Sequence, residues 1–147
     1  MSFKEGPFIQ ACCFCDTVIE DKTGVLSLIR IIDTVTHTAA GPNPPELMPK
    51  FNYTMNLVLV TKSGKARGRH ELNIIVENPS GLSEQIASSS IHFEGEDKGH
   101  NLITNINFGF EYEGLYWFHM HLDDEWWTSV PFRVRYNRVS TGNRLPR

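Results

Sequence analysis

The sequence predicts an all-β protein, a two-layer antiparallel β-sandwich of seven or eight strands. Three observations support this prediction. Short segments alternate between apolar and polar residues, which is the pattern of a strand with one buried face. Turn sequences separate these segments about every ten residues, as in sandwiches. No segment shows a convincing helical period of two turns or more. The pattern leaves Ig-like, C2-like and jelly-roll topologies open.

The first strands are predicted at residues 8–19 and 25–38. A polar turn ending in Gly24 separates them, and the first half of the second strand is apolar on both faces. Such a run is typical of a central strand that is covered on both sides. Residues 39–49 contain four prolines, so we expect a long connection between the sheets there.

The remaining strands alternate more regularly and are separated by Gly, Asn, Asp and Ser. In residues 51–61, for example, Phe51, Tyr53 and Met55 share one face, whereas Asn52 and Thr54 share the other. Turns containing glycine, proline or acidic residues close each segment. The further predicted strands span residues 67–77, 86–94, 102–110, 115–122 and 126–136.

Length and charge limit the possible classes of protein. The 147 residues fit a single domain, residues 1–147, with a flexible tail at about 138–147. The net charge is −3, and acidic and basic residues are interspersed along the sequence. This pattern does not predict the basic surface of a nucleic-acid binder. No apolar run approaches the roughly 20 residues of a membrane-spanning helix, and no export signal is evident. We therefore expect a cytoplasmic protein with no nucleic-acid partner, no membrane partner and no cofactor.

Three cysteines lie close together near the start of the chain, at Cys12, Cys13 and Cys15. An odd number of cysteines within four positions cannot form a disulfide framework. A zinc site would need a second pair of ligands at knuckle spacing, which the sequence lacks. We interpret them as reduced structural thiols of a cytoplasmic protein.

Several strand motifs together resemble a known group of sequences. They are the Cys15-Asp16 pair, the Gly24-Val25-Leu26-Ser27-Leu28-Ile29-Arg30-Ile31-Ile32-Asp33 strand, the segment from His70 to Gly81, Gly114-Leu115-Tyr116-Trp117-Phe118, and Pro131-Phe132-Arg133-Val134. In these motifs the chain resembles an uncharacterised family of small bacterial all-β proteins, a domain of unknown function. The resemblance spans most of the chain and implies a cytoplasmic β-sandwich. It implies no activity.

The last predicted hairpin, formed by residues 115–122 and 126–136, carries the candidate functional residues. Strict alternation places Tyr116, Phe118 and Met120 in the core, together with Phe132 and Val134 of the return strand. The side chains between them point outward. The outward set is Trp117, His119, His121, Trp127, Arg133 and Arg135.

This outward set favours a non-enzymatic module that acts by contact with another protein or with a second copy of itself. Tryptophan and arginine are enriched among the residues that dominate the binding energy of protein interfaces. The alternative without a binding role is an ordinary solvent-facing sheet, on which the same residue types also occur. A third alternative is a structural subunit of a larger assembly, such as a phage particle or secretion apparatus. There, residues 39–49 and the basic tail would reach neighbouring subunits.

A metal-dependent small-molecule binder or enzyme is a further alternative. Two histidines two residues apart on one strand can reach the same ion, and Gly114-x4-His119-x-His121-x3-Glu125 is similar to the first metal motif of the cupins. The candidate ligands are His119, His121 and Glu125. However, no histidine follows Glu125, so the second cupin motif and its ligand are missing.

Overall fold

The structure is a computed structural model, and it describes residues 5–141. Within this range the chain is all-β, with nine strands and no helix. Accordingly, no described segment is a long apolar helix of the kind that crosses a membrane. The strands are β1 (Phe8–Glu20), β2 (Leu26–Ile32), β3 (Thr34–Gly41), β4 (Phe51–Lys62), β5 (Gly68–Glu77), β6 (Ser83–Phe93), β7 (Asn101–Phe110), β8 (Gly114–Leu122) and β9 (Glu125–Ser140).

The nine strands form two sheets. The four-stranded sheet has the order β2-β1-β4-β7, and the five-stranded sheet has the order β3-β9-β8-β5-β6. All neighbouring strands are antiparallel except β3 and β9, which run parallel from the Thr34–Arg133 pair to the Gly41–Ser140 pair. The parallel pair differs from the wholly antiparallel arrangement that the sequence predicted. It joins two segments about 100 residues apart, which local alternation does not reveal.

The ninth strand arises because residues 25–38 form two strands rather than one. β2 belongs to the four-stranded sheet and β3 to the five-stranded sheet, so the chain changes sheets at Asp33. The carbonyl oxygen of Asp33 accepts a hydrogen bond of 2.8 Å from the Arg133 N–H, which guides the start of β3 along β9. β2 is an edge strand, and Ile31 is 63% exposed, so the prediction of a central strand was wrong.

Aromatic side chains from both sheets fill the space between them. The Phe14 ring of β1 contacts Phe118 of β8 and Phe132 of β9, with ring centroids 4.7 and 5.4 Å apart. Phe110 of β7 stacks on Phe132 at 5.6 Å. Burial of each such ring contributes roughly 1.5–3 kcal/mol. These contacts tie the two sheets into one hydrophobic core.

The end of β9 extends further than the sequence predicted. A flexible tail was expected from residue 138, but residues 138–140 belong to β9 and pair with β3. The Arg138 guanidinium also donates a 3.0 Å hydrogen bond to the Pro44 carbonyl oxygen, which ties the strand to the proline-rich connection. Residues 142–147 lie outside the described part of the chain.

A tight turn joins β8 to β9 and fixes the last hairpin. Asp123 and Asp124 have φ values of 50° and 66°, a pair of left-handed residues that matches the twist of a hairpin. The Asp123 carboxylate accepts hydrogen bonds from the Glu71 N–H and the His70 ring. Burial would raise the pKa of this carboxyl, but the two hydrogen bonds outweigh it and lower the pKa. The turn is therefore held against β5.

Candidate functional site

The outer face of the five-stranded sheet carries most of the predicted site residues. In β8 the side chains of Tyr116, Phe118, Met120 and Leu122 are buried, so those between them point away from the core. The structure places Trp117, His119 and His121 on this outer face, opposite residues Glu77, Ile75 and Asn73 of β5.

Arg133 and Arg135 lie on the same outer face, further along β9. They alternate with the buried Phe132 and Val134 and are themselves exposed. Across the parallel pair, Arg133 lies beside Thr34 and Arg135 beside Thr36. Within residues 5–141, neither guanidinium forms a hydrogen bond or an ion pair. Every other described arginine has a partner: Arg30, Arg67 and Arg69 are paired with carboxylates, and Arg138 with a carbonyl oxygen.

Trp127 does not lie on this face, so the prediction that its side chain points outward was wrong. A β-bulge interrupts the pairing of β8 with β9, because His121 pairs with Trp126 whereas Met120 pairs with Thr128. Trp127 is the extra residue of the bulge, and one extra residue reverses the alternation on either side of it. Its side chain is 8% exposed and packs in the core. Trp126 points outward instead, with 61% exposure.

The exposed indole of Trp126 is fixed by a chain of hydrogen bonds. Its Nε1–H donates to Ser129 Oγ over 2.7 Å. Ser129 Oγ lies 2.6 Å from His119 Nδ1, and His119 Nε2 lies 3.3 Å from Glu77 Oε1. In the tautomer that satisfies all three contacts, the serine hydroxyl donates to Nδ1 and Nε2–H donates to the carboxylate. Trp117 stacks beside His119, with ring centroids 6.4 Å apart and planes at 9°.

Alternation within one strand did not identify Ser129 and Glu77 as part of the site. Both are common polar residues on outward positions of their strands, and only the register across three strands brings them to His119. No local sequence signal reports such a register when the outer face is polar. We define the hairpin surface as Trp117, His119, His121, Trp126, Arg133 and Arg135.

Ser129, His119 and Glu77 are also the residue types of a serine-hydrolase triad. The Trp126 N–H donates to Ser129 Oγ, however, and this withdraws electron density from the atom that would act as the nucleophile. The serine also lies on an outer sheet face rather than in a cleft that would surround a substrate. The hydrogen bonds therefore position the indole rather than activate the serine.

The three candidate metal ligands do not converge. In the pairing of β8 with β9, Glu125 lies opposite Leu122, whose side chain is buried. His119 and His121 occupy the alternate positions of β8, between the buried side chains. Both ring nitrogens of His119 already have partners. In the part of the chain that the structure describes, no three His, Cys, Asp or Glu side chains form a group that could hold a metal ion.

The three cysteines are free thiols at the centre of β1. Cys12 points into the core, where its Sγ lies 3.4 Å from Met120 Sδ. Burial, with a smaller contribution from Cys13, raises the pKa of Cys12 to about 12. Burial also raises the pKa values of Cys13 and Cys15. Because the thiolate is the reactive form, these groups are poor nucleophiles and poor metal ligands at neutral pH.

We expect Cys12 to react with iodoacetamide at pH 8 about 2,500-fold more slowly in the folded protein than in 6 M guanidinium chloride. At a pKa of about 12 only about one thiol in 10,000 is ionised at this pH, against about one in four for an ordinary cysteine. Timed alkylation with fragment-level mass spectrometry measures each cysteine separately. Labelling of Cys12 at equal rates in the two states would contradict its burial.

A groove opens between the two sheets, along the unpaired edges of β6 and β7. One part of it has a volume of about 440 Å³ and is lined by polar and apolar residues, the apolar ones including Val76, Phe108 and Tyr116. Lys50 and Glu111, which also line it, form an ion pair of 3.7 Å. Tyr116 lies on the core side of β8, so this groove is separate from the hairpin surface.

The four-stranded sheet presents a second exposed surface on its own outer face. The register of β2, β1, β4 and β7 places four partly exposed isoleucines there. We define the isoleucine surface as Ile19, Ile29, Ile31 and Ile103. Exposed apolar side chains grouped in this way are a feature of contact sites.

Comparison with solved structures gives a distant similarity. No curated protein matches the chain. A similar solved structure is the Pseudomonas fluorescens alkylpurine DNA glycosylase AlkC bound to DNA containing an abasic site analog, with 11% sequence identity and a TM-score of 0.43. The match covers 67% of this chain and 27% of that chain, so the present chain corresponds to about a quarter of the glycosylase. A similarity this distant supports no conclusion about function.

A family model gives a more extensive match. The model of DUF6941, described as a family of unknown function, matches residues 10–135. The match includes β2 to β8 in full and most of β1 and β9. It also confirms that the chain is a member of an uncharacterised family, as its strand motifs predicted. The chain therefore belongs to the DUF6941 family.

Proposed function

We propose that this protein is a non-enzymatic β-sandwich module that binds another protein through the hairpin surface. The observation that carries the proposal is the indole of Trp126, which is 61% exposed and fixed by a hydrogen bond to Ser129. Exposed indoles cost free energy in water, and tryptophan is enriched among the residues that dominate the binding energy near the centre of interfaces. The same face carries Trp117 and two free guanidinium groups.

The hydrogen-bonded chain supports a binding role for Trp126. An exposed side chain loses about 0.5–1.5 kcal/mol of rotamer freedom when a partner immobilises it. Ser129, His119 and Glu77 already restrict the indole before binding, so less of this cost remains. A restricted aromatic side chain beside polar groups is the arrangement of a pre-organised binding site.

The free thiols support a location in a reducing compartment. Disulfides seldom persist in the cytoplasm, and the three cysteines of β1 are unpaired with one another. We include a cytoplasmic location in the proposal on this ground.

A structural subunit of a larger assembly is the second candidate, and the isoleucine surface favours it. That surface lies on the other sheet, so a subunit using both surfaces could contact neighbours on two sides. An assembly subunit would need both surfaces, whereas a simple contact module would need only the hairpin surface. This difference provides the control for the following experiment.

We expect a Trp126→Ala/Arg133→Ala variant to recover at least about tenfold less of a stoichiometric partner than the wild-type chain in affinity purification from the native host. The recovered proteins are identified and counted by mass spectrometry. Circular dichroism shows whether each variant is folded. An Ile29→Ser/Ile31→Ser variant, altered only on the isoleucine surface, is expected to keep the same partner.

Equal recovery of that partner by the folded Trp126→Ala/Arg133→Ala variant would contradict the proposal. Loss of the partner only in the Ile29→Ser/Ile31→Ser variant would also contradict it and would assign contact to the other sheet. Loss in both variants would support the assembly subunit in place of the simple module.

A further inference from the structure

We infer that the segment bound by the hairpin surface is an acidic, extended stretch of a partner protein. This inference rests on the proposed function and adds the chemistry of the partner. Its basis is the pair of exposed guanidinium groups of Arg133 and Arg135, which have no hydrogen bond or ion pair within residues 5–141. Arginine forms bidentate hydrogen bonds with carboxylates more readily than lysine does.

A comparison with Arg69 shows how unusual this pair is on its own sheet. Arg69 lies on the same outer face, where its guanidinium donates to the Glu71 carboxylate at 3.2 Å. Glu71 in turn accepts a hydrogen bond from Ser90. The basic groups near β5 are thus neutralised within the protein. Those on β9 have threonine neighbours on β3, at Thr34 and Thr36, which cannot neutralise them.

The distribution of charge also orients the partner. Two carboxylates of β5 lie on this face, where Glu77 contacts His119 and Glu71 contacts Arg69. Within residues 5–141, the two guanidinium groups without a hydrogen bond or ion pair, those of Arg133 and Arg135, both lie on β9. The net charge of the chain is −3, so long-range attraction does not favour an acidic partner, and recognition must come from local contacts.

The spacing along β9 predicts the length of the segment. At about 3.3 Å per residue, Trp126 and Arg133 are roughly 20–23 Å apart, and Arg135 lies about 7 Å beyond Arg133. An extended peptide would therefore place an apolar or aromatic residue over Trp126 and its first acidic residue about six or seven positions away. A second acidic residue two positions further would reach Arg135.

The test is the selection of peptides from a display library of random 15-residue sequences on the full-length protein. We expect the selected peptides to carry an apolar residue and, six to nine positions away, at least two acidic residues. Fluorescence polarisation with synthetic versions then gives the Kd. The Arg133→Ala/Arg135→Ala variant is expected to weaken binding at least about tenfold, and Arg69→Ala, the matched control on the same face, less than about twofold.

Each acidic peptide is also made with glutamine or asparagine at the acidic positions. The amide peptides are expected to bind the wild-type protein about as weakly as the acidic peptides bind the double arginine variant. Peptides that depend on Trp126 but carry no acidic residues, or that tolerate loss of both arginines, would overturn the acidic assignment and leave the contact surface intact. Selected peptides whose Kd values are unaffected by Trp126→Ala would instead overturn the proposed function.

A labelled DNA duplex provides one further comparison, because unpaired arginines also bind phosphates. Binding of the duplex more tightly than any selected peptide, with loss in the double arginine variant, would overturn the assignment of a protein segment. Duplex binding at least tenfold weaker than that of the acidic peptides at 150 mM salt is the expected result and supports the inference.

Discussion

Replacing Trp127 with alanine is expected to lower the free energy of unfolding by about 3–5 kcal/mol, whereas Trp126→Ala should lower it by no more than about 1 kcal/mol. Trp127 is 8% exposed within the core, so its truncation removes buried apolar surface and leaves a cavity. Trp126 is 61% exposed, and its loss removes mainly one hydrogen bond to Ser129. Urea denaturation followed by circular dichroism measures both, since the backbone signal reports unfolding whether or not either indole is present.

Two conservative variants serve as controls for this comparison. Trp127→Phe retains most of the buried volume and is expected to lose less stability than Trp127→Ala. Trp126→Phe keeps an exposed ring but cannot donate to Ser129, so it separates the hydrogen bond from the apolar contact. A larger loss for Trp126→Ala than for Trp127→Ala would mean that the bulge does not lie at Trp127 and that regular alternation continues through the hairpin.

The hairpin shows both the strength and the limit of alternation as a predictor. Trp117 and His119 follow buried neighbours in a regular strand, and a period of two predicts where they lie. Beyond the turn, Trp126 and Trp127 are identical residues in adjacent positions, so hydrophobicity cannot indicate which one is inside. The bulge decides it, and a bulge depends on pairing with Met120 and His121 rather than on the local sequence.

Residues 25–38 illustrate a different limit. The run is apolar enough for a strand covered on both faces, and the sequence predicted one central strand there. In the structure the chain leaves one sheet at Asp33 and enters the other, and β3 then pairs in parallel with β9. Ile29 and Ile31 look like core residues in the sequence but are exposed on the edge strand β2. Only the long-range pairing distinguishes an edge from a centre.

The hydrogen-bonded chain that fixes Trp126 depends on the same kind of long-range information. Glu77, His119 and Ser129 come from three different strands, β5, β8 and β9. Alternation predicts which residues of each strand point outward. Which of these residues lie opposite one another depends on the register of β5 with β8 and of β8 with β9. The residue types of the candidate surface could therefore be predicted in large part, whereas their hydrogen bonds could not.

Replacement of Phe14 by alanine is the second change for which we expect a large effect, a loss of about 3–5 kcal/mol in the free energy of unfolding. Phe14 is fully buried, and its ring makes edge contacts with Phe118 and Phe132 of the opposite sheet. Its removal leaves a cavity where the sheets meet and removes aromatic pairs that are each worth about 0.5–1.5 kcal/mol. Chemical denaturation measures the loss.

Ile31→Ala is the matched control, since Ile31 belongs to the strand beside β1 and pairs with Cys15 next to Phe14. It is 63% exposed, so its truncation is expected to cost less than about 1 kcal/mol. Both residues are apolar side chains in strands, and the sequence alone gives no reason to expect different effects. A cost for Ile31→Ala equal to that for Phe14→Ala would mean that β2 is covered on its outer face. The isoleucine surface would then be part of a core rather than a surface open to a partner.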